Sequence, residues 1–336
     1  MTRATAAGLA RGGAFAAAGI AFPFVFQQAW IVNIGVLTLM YAGLATAWNL
    51  FSGYSGYITL GQAAFFGLGA YSLGITFQHV GIGSGYDPFY ALPLVGAGVA
   101  LASLPLAWIA LRTRHMTFAI VTLTLLFVVQ QLAFNLHSLT NGSTGLMLPT
   151  PQFPIDSYDR PFYLAMLVIL LLGLVLCRVT LRSKLGLMLL AVREDEEKAR
   201  GLGIRVTGAK LVAWWLMVWL TAMVGGVWAY YLTFIYPESS VDPLVMIGAV
   251  LMTFLGGRGT LWGPAIGALV LVPAQQYMIT RFGASELYLV GYAAVFMVVL
   301  LVLPRGIVPS LRDALEAARE RRRRRGGRVL REEARA

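Results

Sequence analysis

RSKLGLMLLAVREDEEKARGLGIRVTGAK, residues 182–210, is the one long polar interruption in a chain that is otherwise apolar. It alternates acidic and basic side chains over a few helical turns and then reaches two glycines, Gly201 and Gly203. Of all residues, 58% are hydrophobic and 12% are charged, whereas a soluble domain carries about 25% charged residues. Because charge is scarce along the whole chain, the sequence predicts an integral membrane protein, with 182–210 as its main polar segment.

Apolar segments flank this stretch on both sides, and a helix needs about 20 apolar residues to cross a bilayer. We therefore predict an all-α integral membrane protein of about ten transmembrane helices. The predicted spans are 8–27, 30–51, 58–78, 89–111, 116–136, 161–181, 210–234, 242–257, 262–280 and 286–304. The second and third spans are separated only by SGYSGY, residues 52–57, so counts of eight or nine stay open. The first span resembles a signal peptide, but no polar domain follows it, and we interpret it as a helix.

Basic residues divide unequally between the two ends of the predicted spans. With the N-terminus in the cytoplasm, all but two of the 26 Lys and Arg residues, Arg160 and Arg281, fall in cytoplasmic segments. Because cytoplasmic loops are enriched in Lys and Arg, we predict an N-in/C-in topology. The outer loops are then 79–88, 137–160, 235–241 and 281–285. The longest is rich in turn-forming residues, and the sequence leaves open whether it is a lid or a connector.

The formal net charge of +11 comes largely from the Arg-rich C-terminal segment. This distribution is typical of membrane topology and argues against a nucleic-acid partner. We predict a transmembrane domain, residues 1–304, and a basic cytoplasmic tail, 305–336. The tail is interpreted as a basic surface helix against membrane lipid, with a plain solvated tail as the alternative and as the preferred interpretation for the last ten residues.

Sequence motifs of common enzymes and ion-coupled carriers are absent. The chain has no Gly-x-x-x-x-Gly-Lys-Ser/Thr phosphate loop, no His-Glu-x-x-His and a single cysteine, Cys177. Its acidic residues all lie near predicted span ends or in polar segments, whereas ion-coupled carriers place ionisable groups within the membrane. We expect no catalytic residues, no cofactor and no metal.

Two glycine-rich stretches occur at similar depth in the two halves, NLFSGYSGYITLGQAAFFGLGAY (49–71) and FLGGRGTLWGPAIGALVL (254–271). Within the bilayer, irregular backbone survives only where protein or a cavity covers it. Each stretch is therefore a broken helix beside a path or a tightly packed helix crossing. Paired glycine-interrupted segments are typical of repeated transporter folds. The predicted translocation-path residues are Gly53, Gly56, Thr59, Gly61, Gln62, Gly67, Gly256, Gly257 and Gly263.

Within 182–210, acids precede bases at four-residue spacing, Glu194 with Lys198 and Glu196 with Arg200. This order suits both helical ion pairing and the helix dipole. The glycines that follow are possible left-handed caps. We predict a short cytoplasmic helix that ends near Gly203.

AVREDEEKARGLGI, residues 191–204, resembles the cytoplasmic loop of permeases from ATP-binding cassette (ABC) importers, in which Glu-Ala-Ala, three residues and Gly contact the ATPase. Lys198 departs from the small residue of that pattern. The resemblance implies that the ATPase-coupling residues are Glu194, Glu197, Lys198, Ala199 and Gly203.

Further segments are similar to the branched-chain amino acid permeases of the LivM type. They are WNLFSGYSGYITLGQAAFFGLGAY (48–71), LRTRHMTFAIVTLTL (111–125), LTNGSTGL (139–146), LGGRGTLWGPAIGA (255–268) and LVLPRGIVPS (301–310). With residues 191–204, these segments follow the family order over most of 40–310.

This resemblance implies one subunit of an importer in a bacterial inner membrane. The implied partners are a sister permease, two ATP-binding subunits and a periplasmic or extracellular substrate-binding protein. The implied cargo is leucine, isoleucine or valine. Urea, short amides or other amino acids are alternative cargoes within the family, and a self-contained channel or carrier is the alternative class.

Overall fold

Long helices make up most of the computed structural model, which describes residues 3–26, 28–154, 157–283 and 306–314, with the single positions 294, 297 and 316. The helices are α1 (Arg3–Val25), α2 (Ala29–Trp48), α3 (Gln62–Val80), α4 (Asp87–Ala110), α5 (His115–Asn135), α6 (His137–Thr140), α7 (Asp159–Arg182), α8 (Lys184–Glu194), α9 (Glu196–Gly201), α10 (Val206–Leu232), α11 (Pro237–Ser240), α12 (Pro243–Gly256) and α13 (Gly263–Phe282). A π-helical turn, Asn49–Gly53, extends α2, and a 3₁₀ turn, Gly142–Thr144, follows α6. The two short strands are β1 (Leu146–Met147) and β2 (Phe234–Ile235).

The prediction of an α-helical membrane protein is confirmed. In the described part of the chain, six helical segments are long and apolar enough to cross a membrane: Ala29–Gly53, Asp87–Ala110, His115–Asn135, Asp159–Arg182, Val206–Leu232 and Pro237–Gly256. The first, third and ninth predicted spans correspond to α1, α3 and α13. The tenth predicted span, 286–304, lies almost wholly outside the described residues. The total count and the orientation stay predictions.

Two helices, α2 and α10, form the centre of the bundle. Helix α10 packs against α3 and α4, and α2 packs against α7, α12 and α13. The α3–α10 crossing is close because Gly69 lies against the backbone of Ala222 and Gly225 lies against the backbone of Phe66. Small residues let membrane helices approach in this way, so these glycines fix where α3 and α10 cross.

Segments assigned by charge to the same side of the membrane meet in the fold. At the predicted outer end, β1 pairs antiparallel with β2, and the Tyr230 hydroxyl donates to the carbonyl of Ser84. The amide of Gln152 donates to that carbonyl at 3.1 Å, which packs the long outer segment over this end of the bundle. At the opposite end, Arg114 lies 2.8 Å from Glu197. The alternation of the helices therefore agrees with the predicted order of the loops.

Candidate functional site: the polar segment and the two helix breaks

The polar segment 182–210 contains a helix break that the sequence analysis did not predict. Asp195 adopts an extended conformation, with φ −162° and ψ 110°, and separates α8 from α9. Its side chain accepts hydrogen bonds from the amides of Glu197 and Lys198, each at 3.0 Å. Aspartate is a favoured N-cap because its carboxylate satisfies amides that the helix leaves unpaired. The prediction that Glu194 and Lys198 pair on one continuous helix is therefore wrong, because the break at Asp195 lies between them. The Lys198 ammonium instead lies 3.2 Å from the Asp195 carboxylate.

The predicted end of this helix near Gly203 is confirmed. Gly203 has φ +80°, and the amides of Gly203 and Ile204 donate to the carbonyls of Arg200 and Ala199 at 2.9 and 3.1 Å. This pair of bonds is a Schellman cap, which needs a left-handed residue after the helix. Gly201 is the last helical residue and does not supply the left-handed position.

Glu196 connects α9 to the interior, and it was not among the predicted coupling residues. Its carboxylate accepts hydrogen bonds from Tyr57 and from Lys210, the latter at 3.1 and 3.2 Å. It also lies 2.7 Å from Arg200, as the predicted four-residue spacing requires. The Glu196 side chain is 10% exposed and that of Lys210 is fully buried. The four-residue spacing in the sequence predicts that Glu196 pairs with Arg200, whereas the contact of Glu196 with Tyr57 depends on the fold.

Electrostatics keep the Glu196 carboxylate ionised. Burial raises its pKa, but the hydrogen bond from Tyr57 and the charges of Lys210 and Arg200 outweigh that effect, and the net pKa is lowered. The Lys210 ammonium also lies 4.1 Å from the centroid of the Tyr57 ring. A buried charge is tolerated only when it is paired and hydrogen-bonded, so these three side chains depend on one another.

Arg193, near the end of α8, contacts both glycine-rich stretches. Its guanidinium donates to the carbonyl of Gly53 at 3.1 Å. A Cβ added at Gly259 would lie 2.7 Å from that guanidinium, and one added at Gly56 would lie 3.0 Å from the Arg193 Cγ. One side chain of the polar segment therefore lies against both stretches, and no local pattern in the sequence indicates this.

Asn49 joins the two glycine-rich stretches directly. Its side-chain oxygen accepts from the amide of Gly259 at 2.7 Å, and its side-chain nitrogen donates to the carbonyl of Thr260 at 2.9 Å. Asn49 lies in the π-helical turn after α2, and both partners lie in the turn between α12 and α13. The two stretches, matched in the sequence only by pattern, are neighbours in the fold.

The first stretch is a broken helix whose backbone is well satisfied. After Ser55 the helix stops, and Gly56 has φ +80°. Side chains then bind the free backbone: the Trp48 indole donates to the carbonyl of Thr59 at 3.0 Å, and Thr122 accepts from the amide of Leu60 at 3.0 Å. Such partners are required wherever irregular backbone lies at membrane depth.

The second stretch also contains a helix break, in the turn between α12 and α13. Gly257 and Gly259 have φ values of +117° and +81°, which residues with a side chain rarely adopt. Gly256 lies against the backbone of Gly263 across the turn between α12 and α13. The broken helix, one of the two interpretations of this stretch, is therefore present here as well.

Other predicted path residues lie in close packing contacts. Gln62 donates to the carbonyl of Leu44 at 2.9 Å and to the Thr221 hydroxyl at 3.0 Å. A Cβ added at Gly61 would lie 2.5 Å from the Thr122 carbonyl oxygen, and one at Gly67 would lie 2.5 Å from Val241. The sequence left open a helix break or tight helix packing, and the first stretch shows both. A role for these residues in a translocation path stays a prediction.

The polar segment presents one charged face to the outside. Glu194, Glu197 and Lys198 are exposed, whereas Ala199 is 2% exposed and packs into the core. The pair between Glu197 and Arg114 is itself exposed and contributes little to stability. The exposed carboxylates and ammonium are therefore accessible to a partner, while Ala199 holds α9 against the bundle.

These features define a class: a multi-pass helical membrane protein with two linked helix breaks and a capped polar segment bonded to one of them. The chain belongs to the family of branched-chain amino acid transport system permease components, whose match covers residues 30–303. It is a multi-pass protein of the inner membrane.

Two curated relatives carry the same description. The high-affinity branched-chain amino acid transport system permease protein LivM of Salmonella typhimurium is 28% identical over 324 residues, covering 88% of this chain and 74% of the relative. LivM of Escherichia coli matches with the same identity and coverage. No solved structure matches the chain.

Proposed function

We propose that this chain is the membrane-spanning permease subunit of an ABC importer that moves leucine, isoleucine and valine across the inner membrane. The family match over residues 30–303 supports this function. Hydrolysis of ATP belongs to separate ATP-binding subunits, and a sister permease and an external substrate-binding protein complete the complex. The selection of cargo outside the membrane agrees with the absence of acidic residues from the interior of the predicted spans.

The exposed face of α8 and α9 is the proposed contact with the ATP-binding subunits. Glu194, Glu197 and Lys198 lie on this face. Gly203 shapes it by ending α9 with a left-handed residue. A partner that pushes on this face acts on a short, doubly capped helix, which moves as a unit because both of its ends are hydrogen-bonded.

The observation that carries the coupling proposal is the bonding of this segment to the first helix break. Glu196 accepts from Tyr57, and Arg193 donates to Gly53, so both contacts would move with α8 and α9. Arg193 also borders Gly259 in the second break. Positive-φ glycines in both breaks allow backbone changes that a side chain would hinder, and the breaks are the proposed hinges between outward and inward openings.

Reconstitution of the whole complex in liposomes tests the proposal. Glu197→Gln and Gly203→Val are compared with Arg312→Gln, a charge change in the tail. We expect the first two to reduce both substrate-stimulated ATP hydrolysis and leucine uptake while the tail variant retains both. Unchanged hydrolysis and uptake in both loop variants would remove the coupling role.

The same liposomes separate the alternatives. Uptake of labelled leucine is competed with isoleucine, valine, urea and a short amide, and we expect only the amino acids to compete. Leucine uptake by the purified chain alone, without nucleotide or partners, would instead identify a self-contained channel or carrier.

A further inference from the structure

A large apolar cleft opens beside the N-terminal end of α7. Its volume is about 610 Å³, and it is bounded by α1, α4, α7, α10 and the end of the outer segment. Phe24, Tyr90 and Val168 line it and are more than half exposed. At membrane depth an empty cleft would lose the dispersion contacts that its walls make with a molecule that fills it.

The depth of the cleft matches one leaflet. Along α7 its lining residues run from Arg160 through Leu164 and Val168 to Leu172. Twelve residues of helix rise about 18 Å at ~1.5 Å each, and half of the hydrocarbon core is roughly 15 Å thick. The cleft therefore has the length of an acyl chain that begins at the membrane surface.

The mouth of the cleft carries the positive charge of Arg160. Arg160 lies in the first turn of α7, and its guanidinium is 5.8 Å from the centroid of the Phe24 ring. Among the described residues no carboxylate pairs with it, and the neighbouring Asp159 instead accepts a hydrogen bond from Tyr231 at 2.6 Å. A guanidinium binds phosphate through several N–H donors in a fixed plane.

We propose that this cleft binds an anionic phospholipid, with the headgroup phosphate at Arg160 and one acyl chain along α7. Under the predicted topology the lipid belongs to the outer leaflet. The site joins α1, α4 and α7 at the end where the outer segment packs, so a bound lipid would hold these helices together.

Native mass spectrometry of the full-length chain in its assembled complex tests the site. The complex is exchanged into nanodiscs of phosphatidylglycerol or phosphatidylcholine and then delipidated in steps. We expect wild type to retain phosphatidylglycerol preferentially and Arg160→Gln to lower its retention about fivefold, equivalent to the ~1 kcal/mol that a basic residue gains near anionic lipid. Arg281→Gln is the matched control because Arg281, like Arg160, is an arginine of a predicted outer segment that lies beside an aromatic ring, here Tyr277.

Equal retention by Arg160→Gln and Arg281→Gln would overturn the headgroup assignment. A photoreactive group at position 165 gives an independent measurement, since Ala165 lines the cleft. Cross-links to phospholipid support the proposal, whereas cross-links to a sister permease would show that the cleft is a subunit interface and overturn it.

Discussion

Replacing Lys210 with methionine tests the buried link between α9 and the bundle. Methionine retains an apolar chain of similar length and removes the ammonium that lies 3.1 Å from Glu196. Removing one partner of a buried ion pair costs about 3–5 kcal/mol. Here Arg200 and Tyr57 still bind the remaining carboxylate. We therefore expect Lys210→Met to lower the free energy of unfolding by about 2–3 kcal/mol, at or below the low end of that range.

A double-mutant cycle isolates this pair. Glu196→Gln and Lys210→Met are made singly and together, and unfolding free energy is measured by titration with denaturing detergent. The double variant buries neither charge, so we expect it to recover most of the loss, with a coupling energy of about 2 kcal/mol. The control is Arg114→Gln, whose pair with Glu197 is exposed and contributes at most about 1 kcal/mol.

The same variants connect stability to transport. If Lys210 anchors α9, both single variants should uncouple ATP hydrolysis from leucine uptake in the reconstituted complex, and the double variant should recover part of the coupling. Additive losses in the unfolding cycle, or a Lys210→Met cost no larger than that of Arg114→Gln, would refute the reasoning.

Three further predictions follow from the same region. Gly203→Ala should lower the free energy of unfolding by about 1–2 kcal/mol because φ is +80° there. Gly201→Ala, at a helical position with open space around it, should raise the free energy of unfolding by about 0.5–1 kcal/mol. Thermal unfolding of both variants checks this, and a Gly201→Ala variant less stable than Gly203→Ala would contradict it. Asn49→Ala removes two hydrogen bonds to the second break and should destabilise by about 1–3 kcal/mol and slow uptake; wild-type uptake would count against a link between the breaks. The lowered pKa of Glu196 means that its stabilisation is fully present above the unfolded-state pKa and is lost as pH falls through the folded-state pKa; unfolding measured across acidic pH should show this loss in wild type and not in Glu196→Gln.

The sequence predicts the helices, and it offers the breaks as one of two interpretations, because each depends on local pattern. Apolar length indicates the spans, and the clustered glycines of the two stretches mark where helices stop. Gly203 is likewise predictable, since a glycine after a charged helix supplies a left-handed cap. Asp195 shows the limit of such reasoning, because it fits a continuing helix by spacing and instead caps a new one.

The contacts that join the site cannot be predicted in this way. Arg193 and Gly53 are 140 residues apart, and Glu196 and Tyr57 are 139 residues apart. Neither partner has a pattern that identifies the other. Ala199 illustrates the converse, since family resemblance marks it for contact with a partner and the fold buries it.

The contact of Arg193 with both breaks has a thermodynamic consequence. If the breaks are hinges, both contact the Arg193 side chain, so the conformation of one break affects the conformational equilibrium of the other. By thermodynamic linkage, a molecule that binds better to one conformation of the first break changes the affinity of α9 for its partner. Binding of that partner to α9 changes the affinity for the molecule by the same factor. Titration of the complex with substrate should therefore tighten or loosen the ATP-binding subunits by a measurable ratio, and Arg193→Met should bring that ratio towards one.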